Sequence, residues 1–302
     1  MNIEFEKKII SLFGENGNKW LQSIPELVSK YEKDWNIKVS PPFKLSYNYV
    51  CPAETLDGKN AVLKLSFPDN KEFALELEAL KRFPKSVSIQ IIKEDISNGA
   101  VLIERAVSGA PLRTIKSEEE QISIASDIIS KLHIPISNDF NFTFPSILDW
   151  FKAFERYEKK YGVKSGPVPK KLLDLGEGIF KQFLQEKRQQ YLLHGDLHSD
   201  NVISSQRGWL VIDPKGITGE REFELGAYLR NPYYDFPKES HYSKLESRRI
   251  LQFSEELGFD KERVRQWALA CAVISMLWFL EDEGTFKEIY VRNAELLNNL
   301  KI

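Results

Sequence analysis

The 302-residue chain is poor in cysteine, nearly free of net charge, and without an apolar run long enough for a bilayer. Its two cysteines, Cys51 and Cys271, stand far apart and form no CxxC or other metal-type spacing, which excludes a thiolate metal site and fits a reducing, cytoplasmic setting. Forty-two basic against 44 acidic residues leave a net charge of -2, so the chain carries no electrostatic footprint for nucleic acid. The longest apolar run, Trp267 to Leu280, falls short of the roughly 20 residues a spanning helix needs. Arg265 and Glu281 flank it, and a buried helix with no membrane partner is expected. The opening MNIEFEKKII mixes acids with bases and lacks an apolar core, so no secretory signal is read there. No internal repeat or low-complexity tract is visible.

What is present reads as a globular chain, 42% hydrophobic and 28% charged, long enough for two domains each with its own core. Residues 3 to about 35 have helical periodicity interrupted by Gly14, Gly17 and Pro25, which predicts two or three short helices. LSYNYVCPA and AVLKLSF, with Asp57-Gly58 between them, read as an antiparallel hairpin. Glu72 to Phe83 then reads as a helix, followed by strands VSIQIIKED and AVLIERAV around the turn Asn98-Gly99. Beyond Gly109 the text becomes helical, with S-x-x-E at Ser117 to Glu120 and a similar start at Ser146 and Asp149. A further helix is expected from Leu172 to Arg188. Two short apolar runs, YLLHGD and WLVIDP, follow around the turn-like SSQRG, and the remainder is helical.

Chemistry concentrates at His194 to Asn201, HGDLHSDN, with Asp213 twelve residues further on in VIDPKG. Carboxylates and an amide gathered at the ends of two short strands supply hard oxygen ligands for a divalent cation and a group able to orient an attacking hydroxyl. His194 and His198 have the i, i+4 spacing of a zinc HExxH pair, but Gly195 replaces the glutamate and the segment follows a strand, so zinc is disfavoured. A mid-strand lysine among apolar neighbours, Lys64 in AVLKLS, needs either an outward face or a charged partner.

HGDLHSDN is laid out like the kinase catalytic loop H-x-D-x-x-x-x-N, and Asp213 stands where kinases carry the aspartate of D-F-G. With DPKG in place of D-F-G, and with SYNYVCPA, AVLKLS, LIERAVSG and WFLEDEG, the chain resembles the aminoglycoside/hydroxyurea antibiotic resistance kinase family over nearly its whole length. That resemblance implies an α+β, bilobal, protein-kinase-like fold. A small antiparallel-sheet lobe with one main helix and extra N-terminal helices would span residues 1–106, and a larger helical lobe residues 107–302. It implies an ATP- and Mg²⁺-dependent phosphotransferase acting on a hydroxyl of a small-molecule acceptor, with the nucleotide in the cleft. Asp196 takes the position of the catalytic base, and Asn201 and Asp213 those of the metal ligands. Lys64 takes the phosphate-contacting position, paired with a glutamate of the next helix, for which Glu72, Glu76 and Glu78 are available and Glu76 best matches the family.

One kinase feature is missing: no G-x-G-x-x-G precedes Lys64, so Ser46 or backbone N–H groups of SYNYVCPA would cover the phosphates. The resemblance implies that Glu104, Arg105 and Ala106 form the hinge that reads adenine through its backbone, and their side chains do not separate ATP from GTP. By the same resemblance His198 contacts the phosphate, Glu224 supports the catalytic loop, and Asp235, Glu281 and Asp282 meet a cationic acceptor. His194, by contrast, reads as a structural imidazole holding the loop. Kinases of other metabolites or sugars are the alternative within this class. A protein kinase is disfavoured because no A-P-E follows Asp213. From other classes stand a metal-dependent hydrolase built on Asp196, Asp200 and Asp213, and a nucleotide-binding protein without turnover.

Overall fold

The computed structural model describes residues 3–302 apart from 69, 138–139, 163–164 and 231–238, with the backbone alone at 239–241. By internal packing the chain forms two units, Met1–Gly109 with Ser204–Leu210, and Ala110–Ile203 with Val211–Ile302.

The first unit opens with α1 (Ile3–Trp35), followed by β1 (Ile37–Val39), β2 (Tyr49–Thr55), β3 (Asn60–Leu65), α2 (Lys71–Arg82), β4 (Ile91–Asp95) and β5 (Ala100–Glu104). Only Gly14 interrupts α1, with φ 57° and ψ -137°, a conformation open to glycine because it has no Cβ. The expected breaks at Gly17 and Pro25 do not occur. Gly17 is buried so tightly that a Cβ there would stand 2.6 Å from the Ile9 carbonyl oxygen. Pro25 stays inside a helix whose burial of Trp20, Leu21, Ile24 and Tyr31 outweighs one missing hydrogen bond. The five strands pair antiparallel in the order β1-β2-β3-β5-β4.

Alternation along β3 decides what its two faces meet. Ala61, Leu63 and Leu65 join Phe5, Ile9, Trp20 and Tyr31 in the core beneath α1. Lys64 therefore points to the opposite face. On α2, Phe73, Glu76, Leu77 and Leu80 are buried at helical spacing, which places the Glu76 carboxylate on the inward side. The returning segment 204–210 is fastened by Arg207, which donates to both Glu104 carboxylate oxygens (2.9 and 2.6 Å) and to the carbonyls of Lys85 (2.6 Å) and Ser88 (3.3 Å).

The second unit contains α3 (Glu118–Leu132), β6 (Ile134–Pro135), α4 (Ile147–Tyr161), α5 (Lys170–Leu184) and β7 (Tyr191–Leu193). After β8 (Val202–Ser205) and β9 (Gly208–Val211), a two-stranded hairpin whose turn lies in the first unit, come β10 (Ile217–Gly219), α6 (Leu225–Arg230), α7 (Glu239–Leu257), α8 (Lys261–Asp282) and α9 (Glu288–Asn299). Ser117 caps α3 by accepting from the Glu120 N–H at 3.2 Å, and the Asp149 carboxylate accepts from the Ser146 N–H at 2.8 Å at the start of α4. α5 begins two residues earlier than expected and ends at Leu184.

By length and composition α8 passes for a membrane span, yet 72% of its apolar window is buried inside the protein, which makes it the core helix of this unit. Trp267 of α8 packs edge-on against Phe180, Phe183 and Phe223 at centroid distances of 5.1, 5.1 and 4.8 Å.

Candidate active site

In the first unit Lys64 Nζ donates to both carboxylate oxygens of Glu76, at 2.6 and 2.7 Å, and the lysine is only 4% exposed. Glu78, one of the other two glutamates available from sequence, bonds to Arg82 on its own helix. Glu72 lies in the first turn of α2, where its N–H is bonded by the Asn70 cap. Ser46 is exposed. Glu104 is held by Arg207 and also accepts from the Gln90 N–H at 3.2 Å. The Arg105 guanidinium lies 5.8 Å from the ring centroid of Phe43, and Ala106 is partly buried beyond it.

In the second unit the segment after β7 is tied down from below. The buried Glu224 carboxylate accepts from the N–H groups of His194 (2.7 Å) and Gly195 (2.9 Å). Burial alone would raise the pKa of Glu224, but His133, His194 and these N–H donors outweigh it and hold the group ionised, below the usual carboxylate range. The fully buried His194 ring bonds the Ile212 carbonyl through Nε2 (2.9 Å) and accepts from the Asp196 N–H at Nδ1 (3.2 Å). Those partners require the Nε2–H tautomer. Burial pushes the His194 pKa down, which matches a neutral, structural imidazole.

This loop presents Asp196, whose Oδ1 accepts from Arg230 Nη2 at 2.8 Å and whose Oδ2 lies 4.0 Å from His198 Nε2. Burial works to raise the Asp196 pKa, and the positive charge of Arg230, helped by His198 and Lys215, more than reverses it. The carboxylate is therefore charged and held in one orientation. Asn201 donates its amide nitrogen to the Asp196 carbonyl (2.9 Å), which leaves the amide oxygen for a cation. The Asn201 carbonyl accepts from the Ile212 N–H (3.0 Å), so Asn201 and Asp213 are brought side by side where β8 and β9 meet the loop. Asp213 has φ 55°, a left-handed conformation that few residues other than glycine adopt.

Asp200, the third carboxylate of the sequence cluster, turns away to Arg113. Among the described residues no three histidine, cysteine or acidic side chains are grouped to hold a metal by themselves. An amide oxygen and one carboxylate do fit a divalent cation whose other ligands are waters and phosphate oxygens.

The family described as aminoglycoside/hydroxyurea antibiotic resistance kinase matches residues 38–283. The chain belongs to that family. It is 24% identical over 274 residues to a streptomycin 6-kinase of Streptomyces glaucescens, covering 89% of this chain and 87% of that one. A hydroxyurea phosphotransferase of Kitasatospora aureofaciens is 27% identical over 300 residues, covering 94% and 82%. Among solved structures, the choline kinase of Streptococcus pneumoniae superposes with a TM-score of 0.63 at 16% identity, covering 91% of this chain and 97% of that one. The fold is thus the α+β, protein-kinase-like fold of small-molecule kinases, and the chain is a phosphotransferase.

Of the acceptor residues expected from the sequence, two can be located. Glu281 and Asp282 are exposed at the end of α8, and Asp235 falls outside the described residues. Glu281 is not bare: Arg156 of α4 grips both its oxygens through Nε (2.8 Å) and Nη2 (3.0 Å). Sequence reasoning missed Arg230, Arg207 and Arg156. For Arg230 a signal existed, since a charge in the apolar GAYLR poses the same question as Lys64. Nothing in SSQRG or FERY singles out the other two.

Proposed function

We propose that this kinase transfers the γ-phosphate of ATP, with Mg²⁺, to a hydroxyl group of an aminoglycoside of the streptomycin type. The observation that carries the reading is Asp196, oriented by its bond from Arg230, on a loop whose Asn201 keeps its amide oxygen for a cation. Asp196 orients the acceptor hydroxyl and takes its proton as the oxygen bonds to the γ-phosphorus and the bond to the β-phosphate oxygen breaks, releasing ADP. Asn201 and Asp213 hold the cation, which when bound neutralises charge on the phosphate oxygens. Lys64, steadied by Glu76, neutralises the phosphates that are not transferred. Residues 1–106 serve the nucleotide and 107–302 the chemistry and the acceptor. The streptomycin 6-kinase relative, matched over 89% of this chain, supports the acceptor class.

Hydroxyurea is the second reading, supported by the phosphotransferase matched over 94% of the chain. Incubation with γ-labelled ATP, Mg²⁺ and streptomycin, hydroxyurea or a neutral sugar, each with and without EDTA, separates the two. Label on streptomycin that disappears with EDTA is expected. Label on hydroxyurea alone selects the second reading, and acceptor-independent release of phosphate overturns both in favour of a hydrolase.

A further inference from the structure

Trp278 and Glu281 stand three residues apart on α8, one turn along the same face. Trp278 is partly exposed, meets Trp150 of α4 edge-on (4.8 Å between centroids, 88° between planes), and has the Arg230 guanidinium 5.3 Å from its centroid. Arg230 is also the residue that bonds Asp196. A chain of neighbours within one unit therefore runs from the catalytic carboxylate through Arg230 and Trp278 to Glu281.

At the end of that chain the Glu281 carboxylate already holds a guanidinium, that of Arg156, in the two-bonded geometry suited to this pair of groups. The side chains of Arg156 and Glu281 remain 52% and 32% exposed, and pairs at that exposure are weakly held. Packing between α4 and α8 has its own apolar contact in Trp150 and Trp278 and does not depend on the ion pair.

We propose that Arg156 is a built-in placeholder for the acceptor and thereby a specificity-determining residue. A guanidino or amino cation of the acceptor replaces Arg156 on Glu281, and Arg156 swings to solvent. Glu281 keeps one cationic partner before and after the exchange, so a cationic acceptor enters at little electrostatic loss while a neutral one has nothing with which to displace the arginine. The inference rests on the reading of Glu281 as an acceptor carboxylate, and it predicts that removing a positive side chain improves binding of a positive substrate. A purely structural ion pair predicts the reverse or no change.

Streptomycin is the probe, its affinity measured by calorimetry at low and high salt on wild type, Arg156→Gln, Arg156→Lys, Glu281→Gln and the double variant Arg156→Gln/Glu281→Gln. Arg156→Gln should tighten binding about two- to fivefold at low salt, the scale of an exposed pair. That gain should vanish at high salt and be absent for hydroxyurea, while Arg156→Lys should restore wild-type affinity. Glu281→Gln should weaken binding, and the double variant should match Glu281→Gln because Arg156 acts only through that carboxylate. Unchanged or weaker binding by Arg156→Gln, alongside a weakened Glu281→Gln, overturns the placeholder and leaves the acceptor site standing. Undiminished binding by Glu281→Gln overturns the acceptor reading itself.

Discussion

Arg230 donates from Nη2 to Asp196 Oδ1 over 2.8 Å, while its buried Nη1 finds no partner among the described residues. One guanidinium thus does two things for the proposed base: it fixes the carboxylate's orientation and keeps it ionised against the pull of burial. A carboxyl whose pKa is depressed in the folded state stays charged down to low pH, and its contribution is lost only as pH falls through that depressed value. The wild type should show no acid limb from Asp196 in kcat above about pH 4, near the ordinary aspartate pKa. In Arg230→Met burial acts unopposed by the largest nearby charge, and the acid limb should move to higher pH together with a fall in kcat. Asp196→Ala should lower kcat about 10²- to 10⁴-fold. A pH–rate profile of Arg230→Met that merely scales down, with its acid limb in place, would separate Arg230 from the ionisation of Asp196.

The Lys64–Glu76 pair is buried on both sides, so breaking it has a cost beyond kinetics. Lys64→Met or Glu76→Leu alone breaks a buried ion pair from one side and should destabilise the protein by about 3–5 kcal/mol. The double variant, with an apolar pair of similar volume, should recover most of that stability but not the affinity for ATP, because Lys64 is gone. Urea unfolding and ATP titration on the three variants check this. Additive losses of stability would show that the two side chains do not act as a unit.

Asp213 combines a proposed metal ligand with a strained backbone, and the two roles separate by substitution. Asp213→Ala keeps a Cβ at φ 55°, whereas Asp213→Gly removes the strain, so the glycine variant should be the more stable of the two by about 1 kcal/mol. Both should lose nucleotide affinity in Mg²⁺ and change little in EDTA. Recovery of Mg²⁺-dependent binding in the glycine variant would reduce Asp213 to a backbone role.

Much of this was legible in the residues, for reasons that are local. Turn pairs such as Asp57-Gly58 and Asn98-Gly99, the caps at Ser117 and Ser146, and the apolar length of α8 depend on a few neighbouring residues, so they survive without knowledge of the fold. HGDLHSDN and Asp213 could be nominated because a metal-and-phosphate site, as proposed here, needs several oxygen ligands close together in the chain. The Lys64 question, a charge inside a strand, could be posed from sequence. Its answer required α2 to turn Glu76 inward and Glu78 outward.

Tertiary structure decided what pairs with what. α1 was expected to break at Gly17 and Pro25, and burial against the sheet carried the helix through both. Asp200 looked like a third metal carboxylate and is spent on Arg113, 87 residues away in the chain. Glu281 looked open to a cation and is held by Arg156, 125 residues away. The layout of HGDLHSDN and Asp213, with the family resemblance it carries, was enough to point to a kinase and to nominate residues for the chemistry, because those patterns act over a few residues at a time. Which carboxylates remain charged, oriented or already occupied was decided only by the fold, because an ion pair forms between groups that meet in space whatever their separation in sequence.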